Sequence, residues 1–136
     1  MTTYASAMLH AHPQDLGSDD TDRLAACIEA CIACSQACTA CADACLAEET
    51  VAQLVACIRT DLDCADICTT TGRVLSRRTD EDSVVTARLL VACALACQAC
   101  AEECEKHAEM HEHCRICAEA CRRCEALCND LLDGLD

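Results

Sequence analysis

The chain of 136 residues has one Tyr, no Phe and no Trp. A domain of this length normally fills its interior with large aromatic and aliphatic side chains, and that solution is closed here. Turn formers are equally scarce, with three Gly and one Pro. Pro13 and Gly17 precede the first periodic stretch, Gly72 lies in the middle and Gly134 near the end. What remains is rich in Ala, Leu, Glu, Gln and Arg, all good helix formers. Basic residues are also few: 10 Lys and Arg against 24 Asp and Glu, a formal net charge of -14. That balance argues against nucleic acid and anionic membrane surfaces as partners, since both need Lys and Arg. It describes a solvated acidic exterior. Met1 to Asp20 holds no long apolar run and only one histidine pair as basic groups. It reads as neither a signal peptide nor a transmembrane segment. The expected compartment is therefore the reducing cytoplasm, where disulfides do not persist.

What is present in excess is cysteine, at 18 copies. They fall at Cys27, Cys31, Cys34, Cys38, Cys41 and Cys45, then Cys57, Cys64 and Cys68. A third run is Cys93, Cys97, Cys100 and Cys104, and a fourth Cys114, Cys117, Cys121, Cys124 and Cys128. Alternating steps of three and four mark one face of a helix, the a/d seam of a bundle. The spacing predicts four long helices: Thr21 to Ala47, Thr50 to Ser76, Asp80 to Met110 and Glu112 to Leu132. Asp19, Asp20 and Thr21 are candidate caps of the first, and Thr50 with Gln53 has capping-box spacing for the second. Without a reversal near His107 to His113, the last two would form one rod of about 78 Å at about 1.5 Å per residue. A break there yields four matched helices with short connections. The expected fold is all-α: an antiparallel up-down four-helix bundle with a cysteine-lined core at 21–136, after an N-terminal segment at 1–20 with a short helix near Thr3 to Leu9.

The second cysteine run skips one slot, and Asp61 occupies it. A carboxylate in an ordinary core is costly, but among metal-binding thiols it serves as a ligand or a hydrogen-bond acceptor. The alternative is a drift of phase that leaves Asp61 solvated at the rim. Beyond Cys104 the third seam continues to His107 and His111, with His113 and Met110 beside them. These groups mark one end of the tube as a polar mouth for metal. Leu24, Leu75, Leu89 and Leu131 are expected to plug the other end.

Reduced thiols in such numbers point to a soft metal: Cu(I), zinc or an iron–sulfur cluster. Zinc takes closed tetrahedral sites, and four thiolates around each would stack buried negative charge. Cu(I) needs fewer ligands and accepts bridging thiolates. Each ion that displaces a thiol proton leaves the charge unchanged, so about one Cu(I) per cysteine is expected. A disulfide scaffold fails on compartment and on geometry, because helical neighbours hold their Cβ atoms about 5–6 Å apart. Ferredoxin loops end in Cys-Pro, and no proline lies near these runs. Nothing looks like a catalytic triad or a nucleotide loop, so no enzymatic activity is expected. Three roles remain to be separated: a high-capacity copper store, a chaperone with one exchangeable site, and a broad soft-metal detoxifier.

The cysteine runs from Cys27 to Cys45, Cys93 to Cys104 and Cys114 to Cys128, with His107, His111 and His113, resemble the cysteine-rich four-helix-bundle copper storage proteins. The likeness extends from Thr21 to Leu132. It implies a homotetramer of bundles, Cu(I) sites made mostly by paired thiolates, and no catalysis. The histidines resemble the open end of the cytosolic branch, whereas the secreted branch favours methionines there. Asp61 matches that family's non-thiol core ligand.

Overall fold

A computed structural model describes residues 3–135, apart from the side chains of Ser18 and Asp19. Among the described residues all regular structure is helical: α1 (Tyr4–His10), α2 (Ser18–Leu46), α3 (Val55–Leu75), α4 (Ser83–Glu105) and α5 (Glu112–Asp133), with a 3₁₀ turn at Val51–Gln53. The last four form the bundle. Each packs on its neighbours in the chain, α5 closes back onto α2, and α1 lies on α2. The Thr3 hydroxyl donates to the Glu29 carboxylate and ties α1 to that helix.

Local chemistry sets the boundaries. Gly17, at φ 79°, precedes α2, a backbone region open to Gly at little cost. Asp20 and Thr21 therefore lie inside the helix rather than capping it. The start of α3 also departs from expectation. Thr50 and Gln53 form no side-chain cap; a 3₁₀ turn intervenes and Leu54 takes the N-cap position. The reason is burial: the turn delivers Leu54 to the bundle interior, where it is 1% exposed. Asp82 caps α4, its Oδ1 accepting from the backbone N–H of Val84 at 3.0 Å and Val85 at 3.1 Å. The reversal between α4 and α5 spans residues 106–111, as the mismatch in rod length required.

The buried seams are longer than the cysteine runs. On α3 the seam reads Leu54, Cys57, Asp61, Cys64, Cys68, Thr71 and Leu75, all buried. On α4 it begins Thr86, Leu90, Cys93. Leu90, not Leu89, is the buried floor residue: a step of three back from Cys93 keeps the side chain on the seam, whereas Leu89 is half-buried. Leu24, Leu75 and Leu90 close that end, with Leu131 packed against them. α2 and α4 are apolar and long enough to cross a bilayer, yet half of the α2 window is buried. Much of that apolarity is cysteine turned toward the bundle axis.

Candidate metal centre

All 18 cysteines are buried and free. The seams of four helices point them at one axis, where their sulfurs form a continuous column. Near the floor Cys27 Sγ lies 3.8 Å from Cys128 Sγ, and Cys124 Sγ lies 3.8 Å from Cys31 Sγ. Higher up, Cys68 is 3.6 Å from Cys97, Cys34 is 3.7 Å from Cys121, and Cys38 is 3.6 Å from Cys121. Toward the other end Cys57 is 3.6 Å from Cys104, and Cys41 is 3.9 Å from Cys114. These separations exceed a disulfide bond of about 2.05 Å and suit two or more thiolates sharing one ion. Four-thiol groups, each with all sulfurs within 4.8 Å of one another, succeed each other along the axis. Cys31, Cys93, Cys124 and Cys128 form one; Cys34, Cys68, Cys97 and Cys124 the next; Cys34, Cys38, Cys64 and Cys121 a third. These groups share Cys124 and then Cys34, and a fourth, of Cys38, Cys100, Cys117 and Cys121, shares Cys38 and Cys121 with the third, so this stretch is a chain of fused sites; Cys41, Cys45, Cys57 and Cys114 form a separate group at the mouth.

Asp61 is fully buried, not at the rim. Its Oδ1 accepts from the thiols of Cys100 at 3.0 Å, Cys117 at 3.3 Å and Cys104 at 3.4 Å. Burial, reinforced by neighbouring thiolate charge, pushes its carboxyl up to about 12. In the metal-free protein it is a neutral acid bonded into the thiol network. Burial and the charges of Cys41 and Cys57 likewise push the Cys45 and Cys114 thiols up, so a proton must leave when metal arrives.

At the mouth the three histidines separate into two kinds. His113 reaches inward: its Nδ1 is 3.4 Å from Cys41 Sγ and 3.6 Å from Cys114 Sγ. His111 stacks on it, ring centroids 5.4 Å apart. His107 instead pairs with Glu103, 3.4 Å away in the last turn of α4. Met110, in the same turn, is 71% exposed. Burial pulls the His113 imidazole down, but hydrogen bonds to Cys41 and Glu48 outweigh it and leave the group raised.

Sequence reasoning missed Glu48. Its Oε2 accepts from His113 Nε2 at 2.9 Å and lies 2.8 Å from His111 Nδ1. The signal was available, because a step of three beyond Cys45 continues the α2 seam onto position 48. Leu54 was missed in the same way, lying three before Cys57.

A helical bundle whose interior is a fused column of free thiols, with one buried acid and an imidazole at one end, is a multi-site container for soft metal ions. Residues 20–133 match the sequence profile of the copper storage proteins, and the chain belongs to that family. Among solved structures it is similar to the copper storage protein Ccsp of Streptomyces lividans loaded with 10 copper equivalents, with 59% identity and a TM-score of 0.93 over 96% of this chain and 98% of that one. A cytosolic copper storage protein of the same organism, carrying five coppers, is 62% identical, with a TM-score of 0.87 over 88% and 100% of the two chains. Apo copper storage protein 3 of Bacillus subtilis is 40% identical, with a TM-score of 0.66 over 79% and 96%. No curated protein matches the chain.

Proposed function

We propose that all 18 cysteines, with Asp61 and the mouth histidines His107, His111 and His113, handle Cu(I), and that the chain is a high-capacity store in the cytosol. The relative of known cytosolic type supports the location. The observation that carries the assignment is the sharing of corner cysteines between successive four-thiol groups. Isolated tetrahedral sites need no shared ligands, whereas bridging thiolates let each thiol serve two ions at no net cost in charge. Capacity near 18, one ion per thiol, follows. The storage unit is the bundle at 21–136.

The chain enters no catalytic step. Its assembly is a homotetramer: Val84, Val91 and Leu95 lie 66%, 44% and 59% exposed on the outer face of α4, an apolar stripe at helical spacing that other copies would cover. Light scattering on the full chain reads that mass directly.

Titration of the reduced apo-protein with Cu(I) against a competing chelator tests the function. Uptake near 18 ions marks a store. Saturation at one or two marks a chaperone that hands copper on. Zinc competing at equal strength marks a general soft-metal scavenger.

A further inference from the structure

We propose that Glu48 is a positioning residue for copper uptake: its carboxylate sets the ring tautomers of His111 and His113, so that His113 offers a bare Nδ1 to the uppermost thiols. The inference rests on the reading of the mouth as the uptake end.

A carboxylate only accepts hydrogen bonds. Nε2 of His113, hydrogen-bonded to Glu48 Oε2 at 2.9 Å, must therefore carry the proton, and so must Nδ1 of His111, because a bare lone pair 2.8 Å from the carboxylate oxygen would be repelled. In the neutral rings the opposite nitrogens are then bare. For His113 that atom is Nδ1, which already faces Cys41 Sγ at 3.4 Å and Cys114 Sγ at 3.6 Å. For His111 it is Nε2. One oxygen thus imposes opposite tautomers on two stacked imidazoles, and aims one lone pair at a site whose other ligands are Cys41 and Cys114. Without the carboxylate, His113 is free to protonate Nδ1, and the nitrogen facing the thiols is lost as a ligand. The arrangement is a carboxylate–histidine pair of the kind that orients metal-binding imidazoles elsewhere, where losing the carboxylate costs about 10–100-fold. Glu48 comes from the loop after α2, while both histidines come from the start of α5. The bond therefore also clamps the two connections at the mouth.

The test uses full-length, reduced apo-protein labelled with ¹⁵N-histidine, at about pH 8, above the ordinary imidazole value near 6.5. Two-bond ¹H–¹⁵N spectra read the tautomers, and stopped-flow transfer from a Cu(I)–chelator complex reads uptake. Wild type should show His111 as the Nδ1–H form and His113 as the Nε2–H form. In Glu48→Ala both should relax toward mixtures, with uptake slower by about tenfold or more. Glu48→Gln keeps an acceptor oxygen in place and should restore most of both. Unchanged tautomers, or wild-type uptake in Glu48→Ala, would overturn the inference. So would a Gln variant as slow as Ala, since that outcome assigns the effect to charge alone. His113→Ala, run alongside, separates the two levels of argument. If it loads at the wild-type rate, the mouth reading itself fails; if it is slow while Glu48→Ala is not, only the role of Glu48 fails.

Discussion

The two ends of the tube are built by the same rule and finish in opposite chemistry. Continued past the last thiols, the four seams meet Leu24, Leu75, Leu90 and Leu131 at one end. At the other they meet Glu48, Leu54, His107 and His111. Leucine at the floor packs as ordinary core and excludes water. Imidazole and carboxylate at the mouth keep contact with solvent: the side chains of Glu48, His107 and His111 are 32%, 19% and 12% exposed. Of these four seam residues only Leu54 is apolar. Helical periodicity alone makes a container; the residues that end each seam decide which way it opens.

Breaking the floor should have the largest effect. Leu75→Ala or Leu90→Ala removes a fully buried side chain, and such truncations cost about 2–5 kcal/mol. Chemical denaturation of the apo-protein measures this loss. If the floor is the barrier that makes the mouth the sole port, the same substitutions should partly restore loading in a protein whose mouth is blocked.

Blocking the mouth comes next. Replacing His107, His111 and His113 together by Phe should slow loading and chelator-driven removal by about tenfold or more, with final uptake still near that of the 18 thiols. Wild-type kinetics would erase the functional difference between the ends. A large drop in uptake would make the histidines storage ligands.

Between the ends lies Asp61. Its folded value, about 12, lies above that of an unfolded carboxyl. Between these two values the folded state holds a proton that the unfolded state has released. Its contribution therefore favours the fold at low pH and is lost as pH rises. From about pH 5 to 7.5 the slope in apo stability should be up to about 1.4 kcal/mol per pH unit, seen as the difference between wild type and Asp61→Asn. Asp61→Ala should in addition change the number or strength of mid-column copper sites while leaving helicity intact.

Two smaller effects complete the comparison. His113 is raised, so its imidazolium persists to higher pH than an ordinary histidine. Protonated imidazole cannot bind metal, so loading should begin to slow on acidification from above about 6.5. The triple Phe variant should lack that component. Smallest of all is the change in helicity on loading. Both ends and the seams are packed without metal, and cysteine acts as a small hydrophobe. Circular dichroism of the apo-protein should be strongly helical and nearly unchanged by copper. An unfolded apo-form would mean that metal, not packing, builds the tube.

Much of this was legible in the chain itself. The alternation of three and four across Cys27 to Cys45, and again across the later runs, determines that the thiols share a face. The absence of aromatics leaves them as the core. The skipped slot offered Asp61 a place on the axis or at the rim, and its full burial decided for the axis; the rod-length argument placed the reversal before α5. The shared face, the slot and the reversal depend only on helical geometry, which repeats from residue to residue. Tertiary structure decided what periodicity cannot: which side chains from different helices meet. Leu90 displaced Leu89 at the floor because a step of three, not four, keeps the α4 side chain on the axis. Leu54 overrode the capping signal of Thr50 and Gln53, since burying an apolar side chain outweighs one capping hydrogen bond. Glu48 joined His111 and His113 because two loops distant in sequence converge at one end of the bundle. That contact is set by where the helices stop and how their connections fold over, and no local spacing encodes it.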